Sequence, residues 1–334
     1  MVIGFPVAEI QDFICRFAEE HAASLGKNEI QIQEMHNIVE GALERVNPAV
    51  AKSYRDYRNY KLDFIHMMDD VYTKSQAIRY IGDKSNANTD SALVATKRSL
   101  IFNELNKELY RKFFMNRNEL QACKDGYIYI HDQSARLDTM NCCLFDVAAV
   151  LSGGFEMGNV WYNEPKTLDT AFDVMGDIIL STAAQQYGGF TVPEVDKILA
   201  PYAKKSYDKY ISEFMKYSDE SWSGREERAI EYALDKVRRD YDQGWQGIEY
   251  KLNTVGSSRG DYPFVTVTLG LGTEQFEKMC TISLLEVHQG GQGKAGHKKP
   301  VLFPKIVFLY DKEIHSPGKC CEDIFEAGVE CSSK

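Results

Sequence analysis

Hydrophobic positions in the first sixty residues recur at three- and four-residue steps. Ile32, Met35, Val39, Ala42, Leu43 and Val46 fall on one helical face, and Asn47-Pro48 stops that helix before another begins at Ala49. The second helix carries Tyr54, Arg55, Tyr57, Arg58 and Tyr60, with Tyr54 and Arg58 one turn apart. That face either packs on a neighbour, holds a nucleotide or is a solvated basic-aromatic surface. Helices this amphipathic need a partner to cover them.

Downstream, helical and extended patterns alternate. Leu168, Ala171, Met175, Ile178, Ile179 and Ala183 form one stripe of a helix from Leu168 to Gln186, with Gly188-Gly189 as its left-handed stop. Pro193 opens another helix, and the charged, tyrosine-rich stretch 218–254 reads as a long one. The segments 264–269 and 301–310 read as strands. Tyr127-Ile128-Tyr129-Ile130 reads as a buried strand ending in His131-Asp132, and a further strand opens with Asn141-Cys142-Cys143. Side chains alternate along a strand, so Cys142 and Cys143 point to opposite faces and only one can enter a given site. The alternation of elements predicts an α/β architecture.

Composition narrows the function. The chain has 334 residues, a formal charge of −10 and a pI near 5.3. An acidic balance of this size argues against nucleic acid as a partner, because phosphate-backbone binding needs a basic face. The eight cysteines (Cys15, Cys123, Cys142, Cys143, Cys280, Cys320, Cys321 and Cys331) lack the spacing of a secreted framework and read as reduced thiols of a cytoplasmic protein. No apolar run reaches the ~18 residues of a membrane span, and no basic-then-apolar leader precedes Pro6 and Glu9; a soluble chain is expected.

Several segments invite chemistry. In 82–90, Asn86 and Asn88 offer donors and acceptors suited to a polar small molecule, although a self-bonded loop ahead of the helix from Ser91 satisfies the same residues. His131 and Asp132 sit where a strand would place them at a pocket rim. Cys142 is the candidate thiol, against the common fate of a free cysteine as a small buried hydrophobe. A cysteine-nucleophile hydrolase pairing Cys142 with His131 is permitted by the spacing but lacks a nucleophile-elbow or oxyanion motif. The loop 290–299 carries glycines with Lys294, His297, Lys298 and Lys299, which suits an anion, yet it is not a phosphate-binding Walker loop: Ala295 follows Gly293-Lys294, and His288 stands where that motif needs glycine. Cys320-Cys321 and Cys331 lack the paired spacing of a zinc site.

GDKSNANTDSALVATKR, IHDQSARLDTMNCCLFD, STAAQQYGG followed by LAPYAKKSY, DYPFVTVTLGLGT and KPVLFPKIVFLYD, in this order, resemble the catalytic subunit of the anaerobic (class III) ribonucleoside-triphosphate reductases. The resemblance covers residue 61 onward and implies the first half of a ten-stranded α/β barrel of the glycyl-radical enzyme type. Residues 1–60, a small helical segment, resemble the tail of an ATP-cone without its strand-rich, basic opening. By the resemblance, Cys142 matches the barrel-strand cysteine that assists reduction at the ribose. Asn86, Asn88, His131, Asp132 and Asn141 would face the substrate, and Gln185 and Gln186 a deoxynucleotide effector at a homodimer interface built on the 168–186 helix.

The implied activity is radical reduction of ribonucleotides to deoxyribonucleotides for DNA synthesis, with a radical-SAM iron–sulfur activating enzyme as partner, ATP and deoxynucleotides as effectors, and formate or a thioredoxin-type protein as reductant. The family's Met-Gly-Cys-Arg type loop, glycyl-radical loop and four-cysteine zinc site do not occur in these 334 residues. The chain therefore reads as an N-terminal half, inactive alone. The alternative is a non-catalytic nucleotide-binding or dimerisation fragment.

Overall fold

A computed structural model of the chain describes residues 7–27, 29–79, 92–136, 140–257 and 260–334. Two compact units are present, Met1–Gln76 and Ala77–Lys334.

The first unit is helical: α1 (Val7–Ser24), α2 (Ile32–Val46) and most of α3 (Pro48–Arg79). Asn47 serves both flanking helices. Its backbone N–H closes α2 on the Leu43 carbonyl at 2.8 Å, and its side-chain Oδ1 accepts from the Ala49 N–H at 2.9 Å. Pro48 then takes the first helical position, where its fixed φ costs nothing. Ile38, Ala42 and Leu43 are buried, whereas Ile32, the first residue of α2, stays exposed. Part of the basic-aromatic face of α3 is already partnered, and Tyr57 and Tyr60 stay exposed. Glu40 pairs with Arg55 and, at 3.0 Å, with Arg58, and the Tyr54 hydroxyl meets His36 Nδ1 at 2.6 Å.

The second unit is α/β. In chain order come α4 (Val94–Phe113), α5 (Arg117–Lys124), β1 (Cys143–Leu144), α6 (Val147–Leu151), β2 (Phe155–Met157) and β3 (Val160–Tyr162). Next are α7 (Leu168–Ala183), β4 (Phe190–Val192), α8 (Val195–Tyr217), α9 (Arg225–Thr254) and β5 (Val265–Leu269). The chain closes with α10 (Gln275–Gly290), β6 (Lys305–Phe308), α11 (Lys312–His315) and α12 (Glu322–Ser332). β1, β4, β5 and β6 form one parallel sheet in that order, with Cys143 opposite Phe190, Phe190 opposite Val265 and Val267 opposite Ile306. Parallel neighbours require crossovers, and the helices between them supply these. β2 and β3 make a separate antiparallel hairpin.

The core follows the helical stripes. All six positions of the α7 stripe are buried, as are Ala229, Ala233, Val237, Tyr241, Trp245, Ile248 and Leu252 along α9. Phe172 stands edge-on between them, 5.0 Å from the Trp245 ring and 6.2 Å from that of Tyr241. This contact needs Gly244, since a Cβ there would lie 2.2 Å from the Phe172 ring.

Several expected elements differ. Residues 127–130 form no strand: Tyr127 and Tyr129 are exposed, and the segment leaves α5 through Gly126 at φ +78°. β propensity measures packing against neighbouring strands, and among the described residues no strand lies beside this one to bury it. The strand in 301–310 shrinks to Lys305–Phe308: the Leu302 and Phe303 N–H groups donate to Asn253 Oδ1, and Pro304 has no N–H to pair. Helix α9 starts at Arg225, after an Asp219 side chain turns the chain by accepting from the Ser221 N–H at 2.8 Å. α7 ends at Ala183, and neither Gly188 nor Gly189 takes a left-handed conformation.

Candidate functional site

The site is built where β1 and β4 begin. Residues 140–143 run beside 186–189: the Tyr187 N–H donates to the Met140 carbonyl at 3.0 Å, Gly188 N–H to Asn141 at 2.5 Å, and Cys143 N–H to Gly189 at 3.0 Å. This pairing brings the two glycines against the thiol. The Gly189 N–H donates to Cys142 Sγ at 3.3 Å. A Cβ on Gly188 would fall 2.6 Å from Cys142 Sγ and 2.5 Å from Asn141 Oδ1, so close approach to the site, not a helix stop, is what demands glycine there.

A polar chain leads away from the sulfur. Cys142 S–H donates to Asn141 Oδ1 at 3.7 Å, Asn141 Nδ2 donates to Asp132 Oδ2 at 3.1 Å, and His131 Nδ1 meets the same Asp132 oxygen at 2.5 Å. Asp132 is held at φ +53°, a conformation tolerated best by Asn and Asp outside glycine. Its carboxylate is largely covered while the His131 ring stands in solvent. The order is thiol, amide, carboxylate, imidazole. Thr96, Asn103, His131, Asp132, Asn141, Cys142, Tyr187 and Phe264 are among the residues lining a cavity of about 700 Å³, large enough for a nucleotide-sized ligand. The cavity sits at the amino ends of β1, β4 and β5, whereas open parallel sheets usually bind ligands at the carboxyl ends.

The neighbouring thiol faces the other way, as strand alternation requires. Cys143 S–H donates to Gln186 Oε1 at 3.0 Å, and burial, with a smaller contribution from Cys142, pushes the Cys143 thiol above its ordinary pKa. Gln186 also gives its Nε2 hydrogen to the Gly188 carbonyl at 3.2 Å and is only 2% exposed. Its amide is therefore spent inside the fold, holding the turn behind Cys142. Gln185, beside it, is exposed. The apolar stripe of α7 packs against α8 and α9 of the same chain, so an interface on this helix would have to use its exposed polar side, Asp169, Thr170 and Asp173.

Of the expected substrate-facing residues, His131, Asp132 and Asn141 are brought together with Cys142, and Asn86 and Asn88 lie outside the described residues. The loop 290–299 is hung on the protein by Gln292, which bridges to Lys299 and gives its side-chain hydrogen to buried Glu249; Lys294, Lys298 and Lys299 are exposed. Gly188 and Gly189 were visible in the sequence as a pair, but their use was not. Thr96, Ser99 and Asn103 recur at helical spacing on α4, a polar stripe that could have marked a wetted cavity wall.

Comparison with known proteins gives the family. The family model for anaerobic ribonucleoside-triphosphate reductase matches residues 85–334. The chain is 34% identical over 255 residues to the anaerobic ribonucleoside-triphosphate reductase of Enterobacteria phage T4, covering 75% of this chain and 40% of the phage protein. It is 31% identical over 323 residues to that of Escherichia coli K12, covering 92% of this chain and 43% of the relative. The chain thus spans less than half the length of these relatives. Among solved structures, the anaerobic ribonucleotide reductase from Thermotoga maritima with dATP in its specificity site shares the fold at a TM-score of 0.50, 14% identity, 81% of this chain and 49% of that one.

Proposed function

The chain belongs to the anaerobic ribonucleoside-triphosphate reductase family, and from that premise we propose that the cavity beside Cys142 is the ribonucleotide-facing part of a reductase active site. The observation that carries this is the convergence of Cys142, Asn141 and the His131–Asp132 pair on one cavity wall. The net reaction replaces a ribose hydroxyl by hydrogen, releases water and draws two electrons from the reductant, formate or a thioredoxin-type protein. Cys142 supplies a hydrogen atom at the sugar. The Gly189 N–H and the Asn141 amide fix its sulfur, and the His131–Asp132 pair holds the proton that the departing hydroxyl requires. Asn86 and Asn88 complete the ribose contacts.

The glycyl radical of the family supplies the hydrogen abstraction that opens the reaction, and its loop is not among these residues. The family's four-cysteine zinc site is likewise not among these residues. The whole enzyme works as a homodimer in the cytoplasm, is activated by a radical-SAM iron–sulfur protein and is regulated by ATP and deoxynucleotides. Residues 1–60 form the tail of an ATP-cone, and exposed Gln185 is the effector-side contact that remains open to a deoxynucleotide. This chain by itself does not turn over.

Protection of Cys142 tests the reading. Each ribonucleoside triphosphate is added to the full chain and alkylation of Cys142 is followed by peptide mass spectrometry. At least one should slow that alkylation about tenfold at saturation, as expected for a ligand that covers the sulfur; equal rates with all four would overturn the assignment.

A further inference from the structure

At the other end of β5, past Leu269, a second pair of adjacent cysteines lies outside the cavity. The sulfurs of Cys320 and Cys321 are 3.6 Å apart. Cys320 is exposed and Cys321 fully buried. Cys321 is the residue before α12, and three contacts seat that helix start: its N–H on the Ile314 carbonyl at 2.9 Å, its S–H on the Gly272 carbonyl at 3.7 Å, and Lys278 Nζ on Asp323 at 2.8 Å. We propose that Cys320 and Cys321 form a peroxide-responsive dithiol that closes to a vicinal disulfide and loosens α12.

The chemistry balances with hydrogen peroxide as oxidant. Cys320, the thiol that solvent reaches, attacks the peroxide oxygen and becomes a sulfenic acid as the peroxide O–O bond breaks and one water leaves. The Cys321 sulfur then attacks the Cys320 sulfur; the S–O bond breaks, the S–S bond forms and a second water leaves. Two thiols are oxidised by two electrons in all, and one peroxide is reduced to two waters. The order follows from environment. Burial, then the contact with Cys320, pushes the Cys321 thiol up to about 11, so it is not the first to react; its sulfur, 3.6 Å from that of Cys320, is the one within reach of the sulfenic acid.

Closure brings the sulfurs from 3.6 Å to about 2.05 Å. Consecutive Cα atoms are only about 3.8 Å apart across a trans peptide, shorter than disulfides prefer, so the bond is readily reduced again. The movement takes the Cys321 sulfur off the Gly272 carbonyl. That carbonyl belongs to the turn that Asp196 holds through the Gly270 and Gly272 N–H groups at 3.0 and 3.1 Å. The site is independent of the reading of Cys142, and a reversible oxidation here gives an anaerobic enzyme a reporter of oxidant away from its catalytic thiol.

The test treats the full chain with stoichiometric hydrogen peroxide, alkylates it after denaturation and digests it with trypsin, which cuts after Lys319. Cys331 shares the resulting peptide but lies about 15 Å along α12 from Cys321 at 1.5 Å per residue, so Cys331→Ser is run in parallel. The expected peptide is lighter by two hydrogen atoms in both proteins, carries no label on Cys320 or Cys321, and regains both labels after dithiothreitol. Hydrogen exchange over Glu322–Ser332 should rise several-fold. Cys320→Ser, a surface change, should leave Cys321 alkylatable at the same dose. Three outcomes would overturn the proposal: Cys320 driven to sulfinic acid with Cys321 still labelled, a disulfide joining Cys320 to a second chain, or a vicinal disulfide with unchanged exchange over α12.

Discussion

Two Cys-Cys dipeptides sit at opposite ends of the same parallel sheet, and the backbone around each decides what its sulfurs can do. At Cys142-Cys143 the chain is entering a strand, so the side chains diverge: one sulfur lines a 700 Å³ cavity and the other bonds Gln186 in the core. At Cys320-Cys321 the chain is turning into α12, with Cys321 at φ −122° and ψ +23°, and the sulfurs meet at 3.6 Å. An identical dipeptide yields two thiols acting separately in one place and a coupled pair in the other. Spacing in sequence therefore says little about cysteine chemistry until the local dihedrals are known.

The strongest way to break the comparison is to disturb what separates the first pair. Gly188→Ala would press a Cβ against Cys142 Sγ, Asn141 Oδ1 and the Asn141 carbonyl at 2.6, 2.5 and 2.8 Å, and the last of these is backbone that cannot swing aside. A loss of about 1–3 kcal/mol in denaturant unfolding is expected, the usual range for forced overpacking, together with a changed rate of Cys142 alkylation. A variant with wild-type stability and wild-type thiol reactivity would show that the turn has slack the geometry does not suggest. Gly244→Ala is the control for stability alone: it strikes the Phe172 ring in the core and should leave Cys142 reactivity unaltered.

A smaller effect is expected at Asp132, which ties Asn141 to His131. Asp132→Asn keeps a residue that accepts φ near +53° but removes the charge that both partners address, and should cost about 1 kcal/mol, the worth of an ordinary hydrogen bond. Asp132→Ala should cost about 1 kcal/mol more, because alanine pays the left-handed penalty as well. Equal stability of the two variants would remove the backbone part of the argument. In ribonucleotide protection of Cys142, both should weaken the effect if Asn141 depends on this carboxylate for its orientation.

The pattern of legibility follows the same physics. Stripes of apolar residues marked α2 and α7 because a helix face is a local property, and strand 264–269 was readable because its alternation matches the burial of Val265, Val267 and Leu269. Residues 127–130 misled because strand propensity presumes neighbours that only the tertiary fold can supply. His131, Asp132, Asn141 and Cys142 were legible as a group through the family motif. The role of Gly188 was not, since a glycine pair after a helix reads as a stop, and the need for space beside Asn141 and Cys142 arises from residues more than forty positions earlier. Gln186 was turned toward an effector by the family resemblance, yet its amide is matched inside by the Cys143 thiol and the Gly188 carbonyl. The phosphate reading of 290–299 rests on the same kind of composition, and the structure adds only the anchoring of Gln292 by Glu249.

The finest distinction is between Cys142 and Cys143 themselves. The thiolate is the form that reacts with iodoacetamide, so exposure and pKa act together on the rate. Cys142 is exposed and should be alkylated first at neutral pH. Cys143 is half-buried, and burial raises its thiol above the ordinary value, so its labelling should lag and keep climbing at pH values where an ordinary thiol has levelled off. The same shift carries a stability sign: a thiol whose folded pKa exceeds its unfolded one contributes stability below the unfolded value and loses it as pH rises through the folded value. The difference in unfolding midpoint between the wild type and Cys143→Ala should accordingly shrink as the pH is raised through the alkaline range. Simultaneous labelling of Cys142 and Cys143 at every pH would mean that the strand does not hold the two sulfurs on opposite faces.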